Sequence, residues 1–91
     1  MELDWSLLQR LCETPGIAGH ETRVASVVRT ALEPLVDELR VDTMGNLIGI
    51  RRGSVARRVL IAAHMDEIGF LVRYIDDNGF LRLQPVGGFD A

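Results

Sequence analysis

A histidine and an aspartate two positions apart form the pair of side chains best suited to chemistry in this chain. His64 and Asp66 directly follow residues 59–63, an unbroken apolar run that favours a strand. In open α/β sheets, ligands bind beyond the carboxyl ends of the strands. A metal-ligating histidine commonly donates its other ring N–H to a carboxylate, and residues two apart on an extended chain project to the same side. The spacing therefore favours His64 as a metal ligand whose ring is oriented by Asp66.

The same pair also fits a simpler interpretation, a histidine satisfied by backbone carbonyls beside a surface aspartate. A metal centre needs further ligands, and His20, the only other histidine, lies at no convincing spacing from His64. We interpret His20 as a structural or exposed residue, followed by Glu21 at the positive end of a helix dipole. We interpret Glu67 as a structural or supporting carboxylate rather than a general base.

Two helices are predicted in the first part of the chain. Asp4 is an N-cap for a helix over residues 4–13, and Cys12 falls on the apolar side of that helix, which predicts a buried thiol. A glycine-hinged loop at residues 16–21 leads into a second helix. Pro34 should end or bend this second helix near Leu32 or Glu33.

The remaining pattern predicts strands. Apolar residues alternate on both sides of a turn at residues 43–46, and Asn78-Gly79 marks a second hairpin. Residues 59–63 do not alternate, which is typical of a strand buried on both faces. The sequence thus predicts an α/β fold with a mostly buried central strand and flanking β-hairpins. Two helices cannot cover both faces of such a sheet, so we expect an incomplete unit.

Composition narrows the classes of function. Ninety-one residues suggest at most one small domain, and a net charge of −3 gives no electrostatic reason to expect a nucleic acid partner. A single cysteine cannot form an internal disulfide. No apolar run reaches membrane length and no signal-like segment opens the sequence. We therefore expect a cytoplasmic protein with no membrane partner.

Several segments together resemble the M42 family of metallo-aminopeptidases. Each motif is weak alone, but they occur in the family's order and spacing over nearly the whole chain. The segments are LCETPGIAGHE at 11–21, DTMGNL at 42–47, LIAAHMDEIG at 60–69, NGFLR at 78–82 and VGG at 86–88.

The resemblance implies a zinc-exopeptidase-like fold and an enzyme that removes N-terminal residues from peptides with two zinc or cobalt ions. By motif match, His64 would be a metal ligand and Asp66 the catalytic-site carboxylate that orients it. Residues 1–91 would be the N-terminal segment of the catalytic domain, ending near an inserted β-rich dimerisation domain. The other ligands lie in later segments of the family, so this chain would hold at most one ligand and be inactive alone. Family members commonly form homo-oligomers, often dodecamers.

Two alternatives remain at this point. The chain could be a small non-catalytic interaction module, or a remnant, with the same fold. Some M42 relatives are described as endoglucanases, but a histidine-led metal motif does not supply the paired carboxylates that glycoside hydrolysis requires.

Overall fold

Two helices followed by two β-hairpins make up the chain in a computed structural model, which describes residues 2–89. The expected domain end near Ala91 lies outside the described residues. The elements are α1 Trp5–Glu13, α2 Thr22–Leu32, a short 3-10 helix Glu33–Leu35, β1 Glu38–Val41, β2 Leu47–Ile50, β3 Gly69–Ile75 and β4 Leu81–Val86. This mixture confirms the α/β class.

Both helices begin and end where the sequence predicts. The Asp4 carboxylate accepts a hydrogen bond from the Leu7 N–H at 2.9 Å, which caps the first turn of α1. Helix α2 ends at Leu32, and Pro34 lies in the 3-10 helix that follows. Proline lacks the N–H that an α-helix would need there.

Each hairpin forms a separate two-stranded antiparallel sheet. Strand β1 pairs with β2, and Glu38 lies opposite Ile50. Strand β3 pairs with β4 across the predicted Asn-Gly turn, where Gly79 has a φ of 82°. That left-handed conformation is one that glycine adopts at no steric cost.

The expected buried central strand does not form. Residues 59–63 pair with no strand among residues 2–89, and Val59, Leu60 and Ile61 are 87%, 90% and 91% exposed. A strand is defined by hydrogen bonds to a neighbour, and the two hairpins pair only within themselves. The apolar run is therefore a solvent-exposed segment.

The hydrophobic core of the described chain is very small. Val24, at 4% exposure, is its one buried hydrophobic residue. The accessible surface is 8370 Å², whereas a compact monomer of this mass exposes about 5,300 Å². The molecule is also elongated, at 63 × 31 × 25 Å. The described residues therefore expose more surface than a compact domain of this mass would.

The prediction that Cys12 is buried is wrong, because its side of α1 faces solvent. Cys12 is exposed, and Trp5 on the same helix is 71% exposed. The apolar stripe shows which face of α1 could be buried. No described element covers the part of that face that holds Cys12 and Trp5.

Among residues 2–89, no helix combines the length and the apolar character needed to cross a membrane.

Candidate metal-ligand site

His64 and Asp66 are in contact. The His64 Nδ1 lies 3.1 Å from the Asp66 Oδ1 and 2.9 Å from the Asp66 backbone oxygen. The expected contact between ring and carboxylate is thus present, and so is the backbone carbonyl contact of the simpler interpretation. The His64 side chain is 84% exposed, so its far edge is open to a ligand.

These two contacts determine which ring nitrogen of His64 carries the proton. A carboxylate oxygen and a carbonyl oxygen both accept hydrogen bonds, so the Nδ1 must be the donor. In a neutral imidazole the other nitrogen then keeps its lone pair. The Nε2 is then the ring nitrogen left open, on the side of the ring away from Asp66.

A small cleft adjoins the histidine. Its volume is about 250 Å³, and it is lined by the end of the apolar run, by the turn between β1 and β2, by Glu21 just before α2 and by Val28 within α2. The polar side chains that line it include Glu21, Asn46, His64 and Asp66. Three segments that are distant in sequence thus meet at the His64–Asp66 pair.

The turn that forms one wall of this cleft is held by Asp42. One carboxylate oxygen of Asp42 accepts from the backbone N–H groups of Met44 at 3.0 Å and Asn46 at 2.9 Å, and the other accepts from the Asn46 side chain at 2.9 Å. These bonds lower the pKa of the Asp42 carboxyl, and the bond from the Asn46 side chain has the largest effect. Gly45 has a φ of 86°, so a side chain there would be strained. The turn is therefore preorganised.

The other histidine lies in a different cleft. His20 is exposed, and its N–H donates to the Ile17 oxygen at 2.9 Å. His20 and Glu67 line a larger open cleft of about 670 Å³ to which His64 does not contribute. The Glu67 N–H donates to the Gly16 oxygen at 2.8 Å, which joins the loop before α2 to the segment after the apolar run. These positions agree with structural roles for both residues.

The described residues fit a metal ion only in part. The Nε2 of His64 has the chemistry of a ligand, but residues 2–89 contain no group of three or more histidine, cysteine, aspartate or glutamate side chains placed to hold a metal ion. A stable zinc site needs three or four protein ligands. Residues 2–89 thus offer one candidate ligand and no complete centre.

The role of the β1–β2 turn in this cleft was not found from the sequence. The Asp42-to-Asn46 segment was recognised only as a turn and as a family motif. Its position beside His64 depends on packing between distant segments, which no local pattern reports. The one available signal was an aspartate four residues before an asparagine, with a glycine between them.

Comparison with known proteins gives a consistent result. A sequence model of the M42 glutamyl aminopeptidase family matches residues 45–91. The lysyl aminopeptidase of Pyrococcus furiosus is 41% identical over 87 residues, a match that spans 94% of this chain and 25% of that protein. The chain spans about a quarter of the length of the curated relatives it matches.

Solved structures share the fold of this chain. An endoglucanase of Thermotoga maritima superimposes with a TM-score of 0.85 at 42% identity, over 91% of this chain and 27% of that one. The dodecameric PhTET1-12s gives a TM-score of 0.81 at 37% identity, over 98% of this chain and 27% of that one. The similarity thus extends along nearly the whole chain.

Proposed function

Because the chain belongs to the M42 glutamyl aminopeptidase family, we propose that it is part of a metal-dependent aminopeptidase that hydrolyses N-terminal residues from peptides. The observation that carries the proposal is the His64 ring, whose Nδ1 contacts two oxygens of Asp66 while its Nε2 edge stays open.

The proposed roles follow from that geometry. M42 is a metallopeptidase family, and the proposed enzyme uses two divalent ions, zinc or cobalt. Such ions supply Lewis-acid polarisation of a peptide carbonyl. His64 would contribute one ligand through its Nε2. Asp66 would hold the ring tautomer and strengthen the ligand, as a carboxylate partner of a metal-bound histidine does.

The whole protein is proposed to be larger than the described unit. Residues 1–91 would form the N-terminal segment of the catalytic domain, and a β-rich dimerisation domain would begin soon after it. The large exposed surface supports this view, because a complete domain of this mass would bury more of it. A homo-oligomeric assembly is proposed by analogy with the dodecameric relative. A cytoplasmic location fits a chain with a single cysteine and no disulfide framework.

The 91-residue chain is expected to have no peptidase activity on its own. One histidine ligand cannot hold two metal ions, and residues 2–89 contain no group of three or more histidine, cysteine, aspartate or glutamate side chains placed to hold one. Metal-dependent release of N-terminal residues from a panel of aminoacyl-amide substrates by this chain alone would refute the expectation.

Metal binding at His64 can be tested separately from activity. Titration of the chain with Zn²⁺ should shift the ring NMR signals of His64 at lower metal concentration than those of His20. His64→Ala should remove that first response, and His20→Ala is the matched control that should leave it in place. Asp66→Asn keeps the shape but weakens the acceptor, so it should reduce the affinity by about tenfold or more. Equal responses from the two histidines would contradict the proposed site.

Sequencing the natural reading frame past Ala91 tests the larger claim. A frame that continues should encode further aspartate, glutamate and histidine ligands. Its full product should release N-terminal residues from peptides in a reaction that chelators abolish. A product that cleaves β-glucan and leaves peptides intact would instead favour the activity for which the Thermotoga maritima relative is named. A natural stop at Ala91 would favour the non-catalytic module.

A further inference from the structure

The turn between β3 and β4 contains an asparagine that is open to chemical conversion. The chain has two asparagines, and Asn78 is followed by Gly79, whereas Asn46 is followed by Leu47. In an Asn-Gly pair, the backbone nitrogen of the glycine can attack the side-chain carbon of the asparagine, because glycine has no side chain to obstruct the approach. Asparagine is a thermolabile residue. Asn78 is therefore the asparagine of this chain with the less obstructed route to conversion.

The reaction requires water and no other reactant. The Gly79 nitrogen gives up its proton and bonds to the Cγ of Asn78, while the side-chain nitrogen of Asn78 takes up that proton and leaves as ammonia. Water then opens the resulting cyclic imide at one of its two carbonyl groups. Opening at the Cγ gives aspartate. Opening at the backbone carbonyl gives isoaspartate, in which the main chain runs through the former side chain and is longer by one atom.

The hydrogen bonds of the turn oppose this attack. The Gly79 N–H donates to the Asp76 backbone oxygen at 3.0 Å. The Asp76 Oδ1 accepts from the Asn78 N–H and from the Phe80 N–H, both at 2.9 Å. The Gly79 nitrogen must lose its proton and turn towards the Asn78 side chain, so these bonds must open before it reacts. All of them close within residues 76–80.

The turn between β1 and β2 has the same set of bonds without the reactive pair. The Gly45 N–H donates to the Asp42 backbone oxygen at 3.0 Å, and the Asp42 Oδ1 accepts from the N–H groups of Met44 and Asn46. Gly45 has a φ of 86°, close to the 82° of the glycine in the other turn. Met44 thus occupies the position that Asn78 occupies in the second turn. The chain contains a matched, unreactive turn for comparison.

We propose that Asn78 is a site of spontaneous conversion to aspartate and isoaspartate, and that the hydrogen bonds of Asp76 set its rate. Isoaspartate would lengthen the backbone inside the turn that fixes the register of β3 and β4, in which Ile75 lies opposite Leu81. The modification would therefore loosen this end of the hairpin. It is independent of the proposed function, because its atoms all lie in residues 76–80.

Mass spectrometry of the aged chain tests the site. Trypsin releases residues 74–82 and 41–51 as separate peptides that contain Asn78 and Asn46, respectively. After incubation at mildly alkaline pH, the first peptide should show loss of the amide to both acidic products, and the second should change more slowly. Because the turn must open first, conversion of Asn78 should be at least about tenfold slower in native buffer than in denaturant.

Four variants test the control by the turn. Asp76→Ala removes the acceptor of two hydrogen bonds, so native conversion of Asn78 should accelerate about fivefold or more. Asp76→Asn keeps a side-chain oxygen that accepts, so it should change the rate less. Met44→Asn creates a second Asn-Gly pair in the first turn, which should convert at a rate similar to that of Asn78. Asn78→Met copies the first turn and should abolish the reaction at this place.

Three results would overturn the proposal. If Asn78 in the native chain converts no faster than Asn46, the site does not exist. Equal rates in native buffer and in denaturant would exclude control by the turn, as would an unchanged native rate in Asp76→Ala. The Met44→Asn chain keeps both aspartates and so remains informative if Asp76→Ala does not fold. Conversion of its new pair at the denatured rate, with Asn78 still slow, would contradict protection by these bonds.

Discussion

Replacing Gly69 by alanine should push the loop before α2 away from the segment that follows His64, because the added methyl group has no room. A Cβ at Gly69 would lie 2.1 Å from the Cγ2 of Ile17 and 3.4 Å from its Cβ. Ile17 is β-branched and has little rotamer freedom with which to move away. The backbone next to Gly69 makes the parallel bridge between Ile17 and Glu67, so relief of the clash must disturb that bridge.

The expected cost of Gly69→Ala follows from overpacking. Inserting a methyl group where no space exists costs about 1–3 kcal/mol. The hydrogen bond from the Glu67 N–H to the Gly16 oxygen, 2.8 Å long, lies at the same contact and reports its opening. With tenfold for each 1.4 kcal/mol, the exchange of the Glu67 amide should accelerate by about 5- to 150-fold.

Hydrogen exchange followed by NMR measures this effect residue by residue. Gly53→Ala is the matched control, because a Cβ there has nothing within 4 Å and Gly53 has no positive φ. The Gly79 amide, bonded to the Asp76 oxygen in the β3–β4 turn, should keep its rate in both variants. Ile17→Ala removes the obstructing methyl group, so adding Gly69→Ala in that background should change the Glu67 rate little. A Glu67 rate in Gly69→Ala within twofold of that in Gly53→Ala would refute the close approach.

Three further outcomes follow from particular contacts. Val24→Ala should lower the free energy of unfolding by about 1.5–3 kcal/mol in chemical denaturation, because Val24 is 4% exposed, whereas the same change at the 70% exposed Val55 should have little effect. Because the pKa of Asp42 is lowered, the ionised carboxylate stabilises the turn fully above the usual aspartate pKa of about 3.9, and this stabilisation is lost as pH falls through the lowered pKa. The Asn46 amide NMR signals should follow this loss. The variant Asp42→Asn should abolish the pH dependence. Cys12 is exposed, so a thiol reagent should label it in the folded chain at nearly the rate seen in denaturant, and strong protection would contradict the structure.

Local signals in the sequence predict the elements well. The Asp4 cap, the Pro34 stop and the Asn78-Gly79 turn each act within a few residues, and the structure has α1, α2 and β3–β4 at those places. The contact between His64 and Asp66 was predictable for the same reason, since both residues lie on one short extended stretch. What these features share is that each is set by interactions within about four residues along the chain.

Burial could not be predicted in the same way. The apolar character of residues 59–63 and of the Cys12 side of α1 shows which surfaces gain by being covered, but covering needs a second surface. That surface is absent among residues 2–89, so Cys12 and the run remain exposed. The cleft beside His64 was missed because it depends on how the Asp42 turn packs against a segment about 20 residues away.

The local origin of the His64–Asp66 geometry bears on how a metal centre could be assembled here. The ring is oriented by a contact two residues away, and the neighbouring turn by Asp42 bonds of two to four residues, so neither needs a hydrophobic core. The apolar run just before His64 has the opposite requirement, because its pairing depends entirely on another strand. A partner strand at residues 59–63 would therefore fix the position of the proposed ligand His64, whose ring is already in contact with Asp66. If another strand covers the run, metal affinity at His64 should rise, because less backbone freedom is then left to lose when the metal binds. The His64–Asp66 contact itself should not change.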